Sequence, residues 1–205
     1  MPEGDTIFRA ARVLDRALAG ATVTDFETGF ARLASANDNA PVIGRVIEKV
    51  EARGKWLLIH FSGDLILVTH MLMSGSWHIY RAGERWQSPR SKMRVLIRPP
   101  RYEAVAFAVP VAEFHTTGSL ERRTAIAKLG PDLLKVGFDI DEAKQRIRAR
   151  GNEEIGELLL DQKVMAGIGN AFKSEICFVC GVHPFRLPRR SPSVRLVAWS
   201  MRRGG

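Results

Sequence analysis

The sequence predicts an α+β fold in which an N-terminal helix leads into an antiparallel β-sandwich and an α-helical region follows. Apolar residues recur at helical spacing in the first part of the chain. Strand-like segments then follow one another without helices between them, which favours an antiparallel sandwich or barrel. After about residue 115 the apolar spacing becomes helical, so the second region is predicted to be all-α.

The first helix is bounded by residues suited to its two ends. Asp5 or Thr6 can cap its start, because their side-chain oxygens accept hydrogen bonds from the first backbone amides. Gly20 is suited to end it, since glycine readily adopts the left-handed conformation found after many helices. The apolar residues that recur between these ends are Ile7, Ala11, Leu14 and Leu18.

Short apolar segments separated by turn residues predict the sandwich. The segments are 46–50, 56–61, 65–70, 93–97 and 104–109. Residues 62–64 (Ser-Gly-Asp) suit a hairpin turn, and residues 99–102 (Pro-Pro-Arg-Tyr) separate the last pair. Residues 115–123 are polar and turn-rich, which predicts a linker to the second region.

Three segments of the second region have helical spacing, namely 140–150, 153–160 and 171–179. The stretch 162–170 between the last two contains Gly167 and Gly169. Two glycines so close together predict turns rather than a continuous helix.

The composition favours a polyanionic partner. The 205 residues carry a formal net charge of +9, and 45% of them are hydrophobic, enough for a substantial core. A basic surface suits nucleic acid or, less often, an acidic membrane, although a basic soluble protein without either partner is an alternative. Residues 186–205 hold six arginines and no acidic residue. The absence of a long apolar stretch or a signal pattern predicts a cytoplasmic, nucleoid-associated protein without a membrane span.

Several short motifs carry a resemblance to one family. They are residues 1–6 (Met-Pro-Glu-Gly-Asp-Thr), 53–55 (Arg-Gly-Lys), 73–76 (Met-Ser-Gly-Ser), 129–132 (Leu-Gly-Pro-Asp), 158–162 (Leu-Leu-Leu-Asp-Gln), 167–170 (Gly-Ile-Gly-Asn) and 181–184 (Gly-Val-His-Pro). In these motifs, over residues 2 to about 185, the chain resembles the formamidopyrimidine-DNA glycosylase/endonuclease VIII family.

The resemblance implies a division into domains and a partner. Residues 1–115 would form the catalytic helix and β-sandwich domain, 116–128 a linker, and 129–185 a helix–two-turn–helix DNA-binding domain. A basic tail, 186–205, stands where typical members have a four-cysteine zinc finger. The family binds damaged double-stranded DNA in the cleft between its two domains, and we expect this chain to do so as a monomer.

Three residues are predicted to be catalytic. Once Met1 is removed, Pro2 exposes a secondary amine that can attack C1′ of a deoxyribose, although proline is also common at helix starts. The helix N-terminus disfavours the protonated amine. The resemblance implies that Glu3 moves protons at the sugar, although a carboxylate is also stabilised by a helix start. It also implies that Lys55 contacts a phosphate near the lesion, whereas a lone lysine is usually only solvated.

A second group of residues is predicted to contact DNA. The resemblance implies that Asn170, with Gly167 and Gly169 before it, binds a phosphate at a helix start; a plain N-cap is the alternative. It implies that Met73 fills the gap left by a flipped nucleotide, although such a methionine is more often core. We expect Lys163 to add charge, and His70 to lie near Met73 as a DNA contact or as a structural histidine.

No cofactor is predicted. Cys177, Cys180 and His183 supply only three candidate ligands, whereas a structural zinc site needs four. The sequence also predicts that the family's zinc finger is missing from this chain. A fragment, a truncated gene or a frameshift would each explain its absence.

The resemblance implies a base-excision-repair DNA glycosylase with abasic-site lyase activity that cuts the strand by β,δ-elimination. Residues 73–76 favour the branch acting on formamidopyrimidines. The absence of that branch's Arg-Phe-Gly loop near 99–103, together with Asp5 and Thr6, favours an endonuclease VIII-like enzyme acting on oxidised pyrimidines. One alternative is a truncated, catalytically weakened DNA-binding remnant. Another is RNA binding, since a helix–two-turn–helix element also occurs in a ribosomal protein, but the Pro2-Glu3 opening disfavours it.

Overall fold

The structure is a computed structural model that describes residues 3–135 and 137–188, with the side chain of Thr124 excepted. The chain divides into two compact units at residues 124 and 125. We call the first the sandwich unit and the second the helical unit. The division falls inside the predicted linker, 116–128. Part of that linker is helical, because Thr116 caps a short helix through a reciprocal pair of hydrogen bonds with Ser119.

The sandwich unit consists of a leading helix, two antiparallel sheets and short helices. Its elements in chain order are α1 (Gly4–Leu18), β1 (Asp25–Thr28), α2 (Ala31–Asn39), β2 (Ile47–Arg53), β3 (Trp56–Phe61), β4 (Leu65–His70), β5 (Ser76–Arg81), a 3-10 turn (Arg90–Lys92), β6 (Met93–Arg98), β7 (Tyr102–Phe107), β8 (Val111–His115) and α3 (Thr117–Arg122). A further short helix, α4 (Thr124–Ala127), lies at the division between the units. The predicted N-terminal helix and antiparallel sandwich are confirmed.

Each sheet has four strands, in the orders β1-β6-β7-β5 and β2-β3-β4-β8. The predicted strands 56–61 and 65–70 match β3 and β4 and pair around a turn in which Gly63 and Asp64 have positive φ. Sequence patterns missed β1, α2, β5 and β8. Half-buried polar residues occur in all three of the missed strands, so the alternation of apolar residues in them is weak.

The core of the sandwich unit contains α1 and both sheets. The helix contributes the four apolar residues that the sequence predicts, Ile7, Ala11, Leu14 and Leu18, all of them buried. A hydrogen bond of 2.7 Å from the Val50 amide to Asp15 joins α1 to β2. The packing of α1 on the sheet therefore fixes where its N-terminus, with Glu3, lies.

The helical unit contains α5 (Ile140–Ala149), α6 (Ile155–Leu160) and α7 (Asn170–Cys180) around a core of its own. Asp139 caps α5, because its side chain accepts hydrogen bonds from the backbone amides of Asp141 and Glu142. Gly181 ends α7 in the left-handed conformation. The α-helical character predicted for this region is confirmed, as are turns between α6 and α7.

Candidate active site and nucleic-acid interface

Glu3 lies at the start of α1 and is almost completely buried, with 5% of its surface exposed. It occupies the N-cap position, where the sequence had predicted Asp5 or Thr6. That prediction was wrong, because the helix already begins at Gly4 and Asp5 lies in its first turn, paired with Arg9. Pro2, the predicted nucleophile, lies outside the described residues together with Met1 and the tail from 189 onward.

Lys55 lies in the turn between β2 and β3, after Gly54, whose φ is +58°. Burial lowers the pKa of Lys55 below its ordinary value of 10.5, and the negative charge of Glu3 opposes this shift. The two side chains are therefore close enough to interact electrostatically. The structure thus brings together a carboxylate and an amine that are 52 positions apart in the chain.

His70 ends β4 directly opposite Trp56, the first residue of β3. Burial, then the positive charges of Lys55 and Arg123, lower the pKa of His70 below its ordinary value of 6.5. Its Nδ1 atom accepts a 3.0 Å hydrogen bond from the Leu72 amide. The neutral ring, with its proton on Nε2, is therefore the form that fits this structure.

The turn after His70, residues 71–75, presents apolar side chains to solvent. Met71 is buried, whereas Met73 is 70% exposed and Leu72 is 49% exposed. Met73 is therefore not a core residue. Leu72 has a φ of +47°, and a Cβ atom at Gly75 would lie 2.6 Å from the Met71 carbonyl oxygen. The turn thus depends on glycine at 75 and on an unusual backbone conformation at 72.

In the helical unit, the side chain of Gln162 braces the loop of residues 161–169. Its amide nitrogen donates to the carbonyl oxygens of Leu160 and Ile168, both at 2.9 Å, and its oxygen accepts from the Gly167 amide at 3.0 Å. Gly167 has a φ of +93°. The loop ends where α7 begins, so this bracing positions the start of α7.

Asn170 is exposed and is the first helical residue of α7. The N-cap is Gly169, whose backbone is extended, so the alternative of Asn170 as a plain N-cap is wrong. Lys163 is exposed on the braced loop. A helix start that carries an exposed amide side chain is suited to a phosphate, because the helix dipole favours negative charge there.

The structure adds three residues with no predicted role. Trp56 contacts His70, Arg123 lies over the Trp56 ring, and Gln162 braces the glycine loop. Gln162 belongs to a motif that carries the resemblance, so it had a signal in the sequence. Arg123 lies in a polar stretch that read only as linker, and its contact with Trp56 depends on tertiary structure.

Within residues 3–135 and 137–188, no group of three or more His, Cys, Asp or Glu side chains lies together as a metal site would require. Cys177 is buried in the core of the helical unit, and Cys180 packs against that core. Among the described residues no helix is long and apolar enough to cross a membrane.

Two family models match the chain in succession. The formamidopyrimidine-DNA glycosylase N-terminal domain matches residues 1–128, and the formamidopyrimidine-DNA glycosylase H2TH domain matches residues 129–196. Together they account for most of the chain.

Curated relatives with related names are similar over about nine tenths of the chain. A probable endonuclease 8 2 of Streptomyces coelicolor is 40% identical over 90% of this chain and 65% of its own length. A DNA-(apurinic or apyrimidinic site) lyase of Mycolicibacterium smegmatis is 34% identical over 92% of this chain and 69% of its own. Endonuclease 8 of Escherichia coli O1:K1 is 35% identical over 89% and 69%. The chain thus spans about two thirds of the length of these relatives.

Solved structures share the fold. The formamidopyrimidine-DNA glycosylase of Lactococcus lactis, in a complex with DNA containing N7-benzyl-Fapy-dG, has a TM-score of 0.81 at 18% identity. The match covers 98% of this chain and 76% of that one. By the family models and the sequence relatives, the chain belongs to the formamidopyrimidine-DNA glycosylase/endonuclease VIII family.

Proposed function

We propose that the protein is a DNA glycosylase with abasic-site lyase activity that uses the secondary amine of Pro2. The observation that carries this proposal is the buried carboxylate of Glu3 at the start of α1, within electrostatic reach of Lys55 and directly after Pro2 in the chain. A buried carboxylate beside a lysine is a common arrangement for proton transfer. Relatives named as endonuclease 8 and as an abasic-site lyase support the same chemistry.

The proposed reaction begins when the lone pair of the Pro2 nitrogen forms a bond to C1′ of the damaged nucleotide. The bond from C1′ to the base breaks, and the base leaves with a proton. The nitrogen then loses its proton, and as its lone pair forms the double bond to C1′, the bond from C1′ to the ring oxygen O4′ breaks and O4′ takes up a proton. The ring-opened iminium draws electrons, so a proton can leave C2′ and the bond from C3′ to its phosphate oxygen breaks. A second elimination breaks the bond to the 5′ oxygen. We assign Glu3 the proton transfers at the sugar and Lys55 a contact with the adjacent phosphate.

We propose that damaged double-stranded DNA is the partner and oxidised pyrimidines are the lesions, because the relatives with the higher identities are named endonuclease 8. Asn170, with Gly167 and Gly169, would bind one phosphate at the start of α7, with Lys163 adding charge. Met73 would occupy space vacated by the flipped nucleotide, and His70 would contact the strand. The amine chemistry requires no cofactor. We propose a monomer acting in the cytoplasm on chromosomal DNA.

Borohydride trapping tests the chemistry. An iminium between Pro2 and abasic DNA is reduced to a stable adduct, which gel electrophoresis separates from free protein. Pro2→Gly should lower the yield of adduct and strand cleavage, and Glu3→Gln should lower base excision more than abasic-site cleavage. Each loss should be roughly 100-fold, a common cost of removing a catalytic group. The exposed Glu48 on β2 provides a matched control, Glu48→Gln, which should keep full activity.

Mass spectrometry of the same samples must show whether Met1 is present. While Met1 remains, the Pro2 nitrogen is an amide whose lone pair is delocalised, so the protein should be inert as a lyase. Active protein with Met1 intact would contradict the mechanism. An inactive protein without Met1 would leave only DNA binding as its function. Comparing duplexes that contain an oxidised pyrimidine or 8-oxoguanine tests the lesion class.

A further inference from the structure

Arg123 lies against the face of Trp56, beside the candidate active site. Its guanidinium carbon is 4.7 Å from the ring centroid, which is within the range of a cation–π interaction. One guanidinium nitrogen also pairs with Glu113, and the same nitrogen lies 3.4 Å from Nε2 of His115. Its Nε atom is buried and has no hydrogen-bond partner within the described part of the chain. Burying a nitrogen without a hydrogen-bond partner has an energetic cost. An arginine held in this way is therefore expected to have a role that offsets the cost.

Trp56 also contacts His70. The rings of Trp56 and His70 meet edge to face, with centroids 4.6 Å apart and planes at 84°. The two residues are also directly opposite each other in the β3–β4 pairing. Trp56 therefore joins Arg123 to His70, and it immediately follows Lys55 in the chain.

His70 in turn controls the 71–75 turn. The Leu72 amide donates to His70 Nδ1 at 3.0 Å, at a residue whose φ of +47° is uncommon for a leucine. This bond requires an unprotonated Nδ1 and a ring held in one orientation. Exposed Leu72 and Met73 follow directly, and we have proposed that Met73 contacts the DNA.

We propose that Trp56 and Arg123 are positioning residues, which hold the His70 ring in the orientation that accepts the Leu72 amide and so set the shape of the turn that carries Met73. This inference rests on the proposed function for its effect on catalysis, but not for its effect on His70. Charge supports the same assignment, since Arg123 and Lys55 both disfavour a proton on His70. Glu113 and His115 on β8 are the remaining titratable groups of this cluster, and they contact Arg123.

Nitrogen NMR of the histidine ring tests the positioning without any activity assay. In the wild type, Nδ1 of His70 should have the shift of an unprotonated acceptor nitrogen and Nε2 that of a protonated one. Arg123→Gln should raise the pKa of His70, because a nearby positive charge is lost. Trp56→Leu should mix the two tautomers. Arg123→Lys keeps the positive charge and should preserve the tautomer of His70. It is therefore the control in which residue 123 is changed but its charge is retained.

Activity then tests the consequence for the turn. Arg123→Gln and Trp56→Leu should lower base excision from duplex DNA by about 10- to 100-fold, since small displacements of a positioned group have costs of this size. Trapping on single-stranded abasic DNA, where no base pair is opened, should fall much less. Arg122→Gln, which removes the neighbouring exposed charge, is the matched control and should leave both unchanged. Thermal unfolding must show that each variant is folded; should Arg123→Gln be unfolded, Arg123→Met, which removes the charge but keeps an unbranched side chain, is used in its place.

The outcomes separate this inference from the proposed function. An unaltered His70 tautomer and pKa in both Arg123→Gln and Trp56→Leu overturns the positioning role. An altered tautomer with unchanged duplex excision overturns the part of the proposal in which the pair sets the shape of the turn that carries Met73. Failure of the wild type to form any trapped adduct would instead refute the proposed amine chemistry, while the NMR result would still decide the role of the pair at His70.

Discussion

Two loops carry predicted DNA contacts, and the structure holds them in different ways. The 161–169 loop is fixed by the three hydrogen bonds of Gln162 and by buried residues along most of its length. Among the residues that the structure describes, the 71–75 turn makes one side-chain hydrogen bond, from Leu72 to His70, and one backbone bond, from Gly75 to Met71. Two of its middle residues, Leu72 and Met73, are exposed and apolar.

The difference suits two kinds of contact with DNA. Every phosphate presents the same charged oxygens, so a phosphate site benefits from being fixed before binding. The space left by a flipped nucleotide exists only after the DNA has deformed, so a side chain that enters it gains from some freedom. We therefore interpret the 161–169 loop as pre-organised and the 71–75 turn as adaptable.

Removing the brace of the 161–169 loop should have the largest effect. Gln162→Ala deletes three hydrogen bonds and leaves the Gly167 amide without its partner. At roughly 1 kcal/mol for each bond, the free energy of unfolding should fall by about 2–3 kcal/mol. Chemical denaturation measures it, with Gln145→Ala on the exposed face of α5 as the control, expected within about 0.5 kcal/mol of wild type. An equally stable Gln162→Ala protein would show that the loop is held by its buried residues alone.

A methyl group in the 71–75 turn should have a somewhat smaller effect. Gly75→Ala would place Cβ 2.6 Å from the Met71 carbonyl oxygen, so the turn must shift. Overpacking of this kind costs about 1–3 kcal/mol, and part of it should be relieved because the turn is exposed. The control is Gly118→Ala in α3, where the nearest atom is a flexible arginine nitrogen at 3.8 Å. Denaturation midpoints compare the two, and equal losses would rule out a specific requirement at Gly75.

Acid should loosen the two loops in sequence. The pKa of His70 lies below its ordinary value of 6.5, so its stabilising contribution is complete above 6.5 and is lost as pH falls through the folded-state pKa. Asp161 accepts from the Lys163 amide at 2.9 Å; burial acts to raise its pKa, but the hydrogen bond from Arg150 helps to bring it below 3.8. Its contribution is therefore lost only below 3.8.

Hydrogen exchange measures this order directly. As pH falls from about 7 through the folded-state pKa of His70, the Leu72 amide should lose protection while the Gly167 amide keeps it. Rates must be corrected for the pH dependence of intrinsic exchange. Loss of protection at both amides together would indicate general unfolding and contradict the contrast between the loops.

A stability contribution from the sandwich unit should persist to still lower pH. Burial acts to raise the pKa of Glu51, but its bonds to His60 and Arg53 lower it from 4.5 to about 2. The contribution of Glu51 is therefore complete above pH 4.5 and is lost as pH falls towards 2. Glu51→Gln should remove this dependence in acid denaturation, whereas the exposed Glu48→Gln should retain it.

Local patterns predicted what depends on sequence neighbours. Periodicity located α1 and the β3–β4 hairpin, because their apolar residues face a core at regular intervals. It did not locate β8, whose residues are mostly half-buried and show no alternation of buried and exposed positions. The helix start was placed too late, since Glu3 caps α1 through its backbone and makes no capping bond with its side chain.

The candidate site shows the same limit. The resemblance identified Glu3 and Lys55, but the interaction between them exists only because α1 packs on β2. No pattern indicates that Arg123 lies on Trp56, since 67 positions separate them and neither belongs to a motif with an assigned role. Met73 was expected as core or as a DNA contact, and its exposure was decided by Met71, which occupies the buried position.

The smallest expected effect concerns Lys163, the exposed cation of the 161–169 loop. If this loop is a pre-organised phosphate site, Lys163 contributes charge but no shape, because the backbone is already held by Gln162. Lys163→Gln should weaken binding to every DNA sequence alike and reduce the slope of log affinity against log salt by about 0.9, the release of one counterion. Fluorescence anisotropy with an abasic duplex at several salt concentrations measures the slope. Arg148→Gln removes an equal charge from the exposed surface of α5 and should leave the slope unchanged. A sequence-dependent loss, or an unchanged slope, would show that Lys163 does not act as a phosphate contact and that the braced loop has another purpose.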